Sequence, residues 1–266
     1  MRVVRTITEL REVLGQTGAD SVGLVPTMGA YHDGHLSLFR TARSENDLVV
    51  VSLFVNPAQF LDAGDLERYP RDEVRDAALA DEAGVDLLFA PTAAELYPAG
   101  FQTWVDVEQV GRGLEGDHRP GHFRGVATIC LKLFNLVRPE RVYFGQKDAQ
   151  QAALVKRLVR DLDLDLEVRV LPTVRDADGL ALSSRNVLLS PNDRLRALAL
   201  PRALEAGRAA DSAGADPVAA ARGVLDGLEP DYLEVADLDG LRVLAVAARV
   251  GPVRLIDNVL LEGEPA

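Results

Sequence analysis

The stretch Val22 to Phe39, VGLVPTMGAYHDGHLSLF, restricts the fold of this chain more than any other segment. Val22, Leu24 and Val25 form a short apolar run of the kind found in a buried parallel strand, and Pro26, with no N–H to give a ladder, ends it. Gly29 and Gly34 let the backbone bend. Asp33 suits a helix N-cap, and Leu36, Phe39 and Ala42 follow at a spacing of three, so a helix is expected to begin near Gly34 or His35. Such a helix start offers free N–H groups and a positive dipole end, both of which favour bound phosphate. His32 and His35 lie in this turn, and they are two of only four histidines in the chain. A glycine turn with a histidine that merely caps the helix is also common, so H-x-G-H spacing alone does not assign a function.

The rest of the chain continues the alternation that this unit begins. A first helix is expected over Thr8 to Gly15. Leu48 to Phe54 is a continuous, valine-rich run and reads as a second buried strand, which empties into Val55-Asn56-Pro57-Ala58-Gln59-Phe60. Ligands bind at the carboxyl ends of parallel strands, so Asn56 and Gln59 are polar amides at an expected ligand edge. An Asn-Pro turn with a solvated Gln explains them equally well. Asp72 to Ala83 reads as an acidic surface helix, on which Asp76 suits a metal contact and a solvated face alike. Val85 to Ala90 is a third buried strand, and alternation over Thr103 to Val107 suggests a shorter one. Gly111 to Gly125 is expected to be a loop; it carries five glycines with Glu115, Arg119, His122 and Arg124, and long loops tend to be functional or mobile.

Val126, Ile129, Cys130, Leu133 and Val137 mark one face of a helix that ends at Arg138-Pro139. Val142 to Phe144 is a fourth strand, and Gly145-Gln146-Lys147-Asp148 turns it into a helix over Ala149 to Asp161. Asp148 and Gln151 match a capping box. Lys147 lies just before that helix start, which is poor local electrostatics unless an anion binds there too. Leu166 to Val174 is a fifth strand, and the alternation predicts a doubly wound parallel sheet. Asp176-Ala177-Asp178-Gly179 is the strongest turn signal, and a domain boundary is expected there, giving 1–176 and 177–266. Beyond it come the loop Leu182 to Asn186, a helix start at Ser190-Pro191, alanine-rich helices over Asp193 to Ala213 and Pro217 to Leu228, and strands near Asp231 to Ala236, Val243 to Ala248 and Val253 to Leu261. These make a smaller α+β domain.

Composition removes several function classes. The formal charge of −12 opposes a nucleic-acid partner, whose binding depends on neutralising phosphates with Lys and Arg. Small anions remain possible ligands, since a few cations can focus a field in a cleft. Among 29 basic residues only Lys132, Lys147 and Lys156 are lysines, so a lysine here suits a place that calls for a compact ammonium. Cys130 is the only cysteine, which excludes disulfides and cysteine metal clusters and leaves a buried structural thiol. No apolar run approaches the ~20 residues that span a bilayer, and no basic-then-apolar signal opens the chain, so a cytoplasmic protein with no membrane partner is expected.

Six segments, PTMGAYHDGH, FVNPAQF, YPR, RPGHFRGV, FGQKDAQQ and GLALSSRN, occur in that order between Pro26 and Asn186. In this set and order the chain resembles the pantoate–β-alanine ligase family, and DYLEVADLDGL and RLIDN extend the resemblance over nearly the whole chain. The resemblance implies a nucleotidyltransferase-like Rossmann fold with an H-x-G-H motif, shared with class I aminoacyl-tRNA synthetases, and a homodimer. It implies that ATP activates pantoate as an acyl adenylate and that β-alanine then displaces AMP. It further implies ATP contacts at Met28, Gly29, Ala30, Tyr31, His32, Asp33, Gly34 and His35, with His35 as proton donor. Gly145, Gln146, Lys147, Asp148, Val174, Leu182, Ser183, Ser184 and Arg185 complete the implied nucleotide site, and His32 and Lys147 join His35 as catalytic groups. Gln59 and Gln151 are the implied pantoate ligands, Gln59 also meeting β-alanine, while the resemblance assigns no part in the β-alanine step to Tyr69, Arg119 or His122. Mg²⁺ is the implied companion of ATP, its protein ligands unassigned. Tyr31 and Asp33 replace the common Leu and Glu, and Leu182 replaces the common Met; none of these removes a proposed catalytic group.

The implied reaction fits the chemistry of the residues. A carboxylate is a poor electrophile, so it must attack the α-phosphorus of ATP while cations absorb charge on the departing pyrophosphate. Lys147, Arg185, the hydroxyls of Ser183 and Ser184, the helix start at His35 and Mg²⁺ suit that task. An acyl adenylate would hydrolyse in contact with water, so closure of the smaller domain about Asp178-Gly179 is expected. Three other readings compete: a shorter adenylyltransferase acting on a phosphate, a class I synthetase, and an acidic dimeric nucleotide-binding module whose histidines are structural. The first would carry its histidine motif nearer the N-terminus and lack FVNPAQF. The second would need a tRNA-binding domain, and the third would bind ATP without forming pyrophosphate.

Overall fold

The structure, a computed structural model, describes residues 1–61, 63–225 and 227–262. Backbone contacts divide the chain into two compact units, one of Met1–Phe144 with Leu154–Val170 and one of Gly145–Ala153 with Leu171 onward.

The first unit is built on a six-stranded sheet of β1 (Arg2–Val4), β2 (Val22–Thr27), β3 (Leu48–Leu53), β4 (Leu87–Phe89), β5 (Arg141–Gly145) and β6 (Glu167–Leu171). The strand order is β1-β4-β3-β2-β5-β6. The pairs β1–β4, β4–β3, β3–β2 and β2–β5 are all parallel. From β2 the chain runs outward through β3 to β4 and then returns to the other side of β2 as β5, so the order reverses there; in open α/β sheets this is where ligands bind. The valine-rich composition of β3 has its reason in this position: Leu48 to Ser52 are all buried, as a central parallel strand requires. The helices Asp33–Glu45 and His122–Val137 both pack on β2. Cys130 is buried in the latter, and burial pushes its thiol up to about 12. The structural-thiol expectation is borne out.

The second unit contains the antiparallel sheet β7 (Pro230–Leu238), β8 (Leu241–Val250) and β9 (Val253–Leu260), in that order. Leu244 and Val246 of the central strand form a core with Leu200 and Leu204 of the helix Ala199–Ser212. The predicted class, a doubly wound parallel sheet with a smaller α+β part, is the observed one. No described helix is long and apolar enough to cross a membrane.

Several local expectations are corrected. Thr103 to Val107 is not a strand: the Val105 N–H goes to the Thr128 hydroxyl at 3.0 Å, and Trp104 stacks on Tyr97 with ring centroids 5.8 Å apart. Alternation over five residues had no neighbouring strand to satisfy it. Gly111 to Gly125 is not one loop, since Leu114–His118 is a short helix and the following helix begins at His122, with Gly125 inside it. The helix expected over Asp193 to Ala213 is two, Pro191–Ala197 and Ala199–Ser212. Pro201 explains the break, because it has no N–H for the Ala197 carbonyl and its ring crowds that group. The helix expected over Pro217 to Leu228 is Pro217–Arg222; residue 226 lies outside the described residues. The three-residue β1 was too short for its pattern to register.

Candidate active site

The histidine turn is held from three directions. The helix that follows runs over Asp33–Glu45, and its N-cap is His32 rather than Asp33: the His32 Nδ1 accepts the Gly34 N–H at 3.2 Å. An imidazole accepting at Nδ1 carries its proton on Nε2, so the cap selects the tautomer. The His32 and His35 rings lie 4.3 Å apart between centroids, and Tyr31 packs on His35 at 5.3 Å. Tyr31 is itself buried, and its hydroxyl is 3.0 Å from the Thr27 Oγ1 at the end of β2. Because Thr27 spends its one proton on the Ser52 carbonyl at 2.6 Å, the tyrosine is the donor in that pair. Burial raises the Tyr31 phenol above its ordinary range.

The third hold was read differently from the sequence. Asp76 is neither on a solvated face nor in a metal cluster: it is 1% exposed, and its carboxylate accepts the N–H of Ala30 at 2.7 Å and of Tyr31 at 2.8 Å. Gly29 and Ala30 both have left-handed backbone, φ 89 and 54. Two consecutive residues in this region point successive N–H groups the same way, and one carboxylate receives both. For Ala30 the conformation is strained, by about 1 kcal/mol or more, and the two charge-assisted hydrogen bonds offset it. Arg75 closes the arrangement by donating to the Tyr31 carbonyl at 3.1 Å. The signal in the sequence was the spacing of Asp76 and Ala80, which are the two buried residues of the helix Glu73–Glu82.

Gln59 is held in the same unit by the glycine-rich segment. Asn56 accepts the Ala58 N–H at 3.2 Å and donates to the Gly125 carbonyl at 3.1 Å. A Cβ on Gly125 would stand 2.7 Å from the Ala58 carbonyl carbon, so only glycine lets the helix His122–Val137 come this close. The Gln59 carbonyl meets the His122 Nδ1 at 2.9 Å and accepts from Arg119 Nη2 at 3.2 Å. Arg119 and His122 therefore act on the backbone of Gln59, a role that sequence alone did not suggest. Asn56, His122 and Gln59 are all buried.

In the second unit, Gln146–Asp148 forms a single 3-10 turn, and the Lys147 ammonium is 3.7 Å from Asp148. Asn258 of β9 binds this turn through Gln146 and Lys147. Its neighbour Asp257 takes both ends of Arg175 at 2.6 and 3.0 Å. Leu182 donates its N–H to the Val174 carbonyl at 3.0 Å, and the Ser183 hydroxyl accepts from the Arg185 N–H at 3.3 Å to start the turn Ser184–Leu188. The sequence-predicted residues thus fall into two sets. Met28 to His35 and Gln59 lie in the first unit; Gly145 to Asp148, Gln151, Val174 and Leu182 to Arg185 lie in the second. Among the described residues no three His, Cys, Asp or Glu side chains converge to hold a metal ion.

Comparison with known proteins identifies the family. Residues 2–260 match the family model described as pantoate-beta-alanine ligase. The pantothenate synthetase of Roseiflexus castenholzii is 51% identical over 278 residues, covering 98% of this chain and 100% of that protein. That of Corynebacterium glutamicum is 54% identical over 261 residues, covering 91% and 94%. The crystal structure of pantothenate synthetase from Thermus thermophilus superposes with a TM-score of 0.94 at 48% identity, covering 99% of this chain and 100% of that one. A pantoate-beta-alanine ligase from Francisella tularensis, complexed with beta-gamma ATP and beta-alanine, matches with a TM-score of 0.86 at 35% identity over 100% of both chains.

Proposed function

The chain belongs to the pantoate–β-alanine ligase family, and on that premise we propose how its residues divide the work. The enzyme condenses pantoate with β-alanine at the expense of ATP, through pantoyl adenylate, and releases AMP and pyrophosphate. In the first step a pantoate carboxylate oxygen bonds to the α-phosphorus as the bond to pyrophosphate breaks. In the second, the β-alanine nitrogen bonds to the acyl carbon, AMP leaves with the acyl–oxygen electron pair, and the amine loses a proton.

The observation that carries the reading is the histidine turn, a rigid helix start at the end of β2, where the strand order reverses. Its residues, Met28 to His35, contact ATP, with the helix N-terminus and His35 donating to phosphate oxygens that gain charge. The His32 cap engages Nδ1, which puts the ring proton on Nε2, a donor suited to a phosphate oxygen. Lys147 neutralises charge on the leaving pyrophosphate, as a compact ammonium does well. Ser183, Ser184 and Arg185 supply further donors, and Gly145, Gln146, Asp148, Val174 and Leu182 complete the nucleotide contacts. Gln59 and Gln151 orient pantoate, and the grip of Arg119 and His122 on the Gln59 backbone supports that role. Mg²⁺ bound with ATP would supply further charge neutralisation at the phosphates. The Asp76 carboxylate, committed to two backbone N–H groups, would not hold it.

Residues 177–266 are proposed to shield the adenylate by moving about Asp178-Gly179, and the enzyme is proposed to be a cytoplasmic homodimer. The β-alanine amine must attack unprotonated, so turnover should rise above neutral pH; a flat profile from pH 6 to 9 would contradict this step. The roles are tested by pantoate-dependent exchange of labelled pyrophosphate into ATP, without β-alanine. Wild-type exchange that collapses in His35→Ala and in Lys147→Ala supports them. Exchange retained in either variant removes that residue from adenylate formation.

A further inference from the structure

The mechanism leaves the C-terminal strand without a part, although RLIDN lies in it. In the second unit β9 is an edge strand, paired only with β8 within the described sheet. It packs against both the turn Gln146–Asp148 and the turn Ser184–Leu188, the segments proposed for the nucleotide. Asn258 is 5% exposed, and its side-chain amide makes three hydrogen bonds. Its Nδ2 donates to the Gln146 carbonyl at 2.9 Å and to the Lys147 carbonyl at 2.8 Å, while its Oδ1 accepts from the Gln146 amide at 3.1 Å. The two carbonyls accept only, so the orientation of the amide is fixed by its partners.

These two carbonyls belong to the two peptide planes that flank the Lys147 Cα. A trans peptide is rigid, so the direction of each carbonyl sets the plane it belongs to. Fixing both planes fixes φ and ψ at Lys147, and with them the direction in which its side chain leaves the backbone. Asn258 is anchored in turn, for its own N–H is 2.9 Å from the Asp257 Oδ1, and Asp257 is clamped by Arg175. We infer that Asn258 is the positioning residue for Lys147, aiming the ammonium for adenylate formation without touching ATP. The inference rests on the proposed role of Lys147.

The test separates the two. Pyrophosphate exchange is measured in wild type, Asn258→Asp, Lys147→Ala and the double variant, with thermal unfolding of each. Asn258→Asp keeps the shape but sets a carboxylate oxygen against two carbonyls. Misaiming a catalytic group by about 1 Å lowers rate on the order of 100-fold. Exchange should therefore fall about 10- to 100-fold in Asn258→Asp, and the same substitution in the Lys147→Ala background should change the residual rate less than about twofold. Asn258→Ser, which retains one donor, should fall between, and it replaces Asn258→Asp if that variant does not fold. Additive losses in the double variant, or normal exchange in a folded Asn258 variant, would overturn the inference while leaving Lys147 its role. Normal exchange in Lys147→Ala would overturn both.

Discussion

The turn after β2 and the turn after β5 are each held by one buried side chain from a distant part of the chain, but the two holds have opposite polarity. Asp76 is an acceptor that gathers two backbone N–H groups, and Asn258 is a donor that gathers two carbonyls. The reason lies in the backbone. At Gly29 and Ala30 two left-handed residues turn their N–H groups inward, and only an acceptor satisfies them. After β5 it is the carbonyls of Gln146 and Lys147 that turn inward, and only a donor satisfies them. A carboxylate there would repel them. A charged acceptor suits the strained turn, and a neutral donor suits the turn whose carbonyls face inward.

The largest expected effect breaks the charged hold. Asp76→Ala leaves two buried N–H groups without partners and removes the offset to strain at Ala30, so unfolding free energy should fall by about 3 kcal/mol. Urea denaturation measures this, and pyrophosphate exchange should be lost in the same variant. A change below about 0.5 kcal/mol, the scale of ordinary surface substitutions, would mean that the turn supports itself and that the comparison has no energetic content.

Two glycines sharpen the comparison, because they have nearly the same conformation in different surroundings. Gly29 in the first unit has φ 89, and a Cβ there would meet Asp76 Oδ2 at 2.9 Å and Leu53 Cδ1 at 2.7 Å. Gly179 in the second has φ 91, with no described atom within 4 Å of the added Cβ. Gly179→Ala should destabilise by about 1 kcal/mol, the backbone penalty alone. Gly29→Ala should lose about 2 kcal/mol or more, because the same penalty is joined by overlap with the clamp. Equal losses in denaturant titrations would show that Asp76 yields to the methyl group and is not a rigid hold. A proline at Gly179 would probe the hinge badly, since its N–H is donated to the Asp176 carbonyl at 2.8 Å.

The sequence was legible wherever function is local. Strand, glycine turn and capped helix sit within Val22 to Phe39, and Lys147 stood out by being a cation before a helix start. The holds were illegible for a physical reason. Asp76 and Asn258 bind backbone groups, which every residue carries, so no complementary side chain in the sequence marks the partner. Asp76 is 46 residues from Ala30, and Asn258 is 112 from Gln146. Within an acidic helix Asp76 looked like its solvated neighbours, and only its spacing to Ala80 set it on the inner face. The misread strand at Thr103 to Val107 shows the converse: alternation is a local pattern, but a ladder needs a neighbour.

The smallest expected effects concern pH, and they too divide the units. In the first, burial raises the Cys130 thiol from 9.0 to about 12 and the Tyr97 phenol from 10.0 to about 12. Below pH 9 both the folded and unfolded chains hold the thiol proton; between 9 and 12 the unfolded chain releases it and the folded one does not, so stability falls as pH rises through that window. In the second unit, burial acts to raise the Asp178 carboxyl, but the Leu180 N–H and Arg194 outweigh it and hold it below its ordinary 3.8. Its contribution is present above pH 3.8 and is lost as pH falls through the lowered value. Hydrogen exchange followed residue by residue should therefore show the helix His122–Val137 losing protection first above about pH 9, and the Asp176–Leu180 turn first in acid. Uniform loss in both directions would mean that the two units open together, and the contrast between them would then be one of local chemistry without local stability.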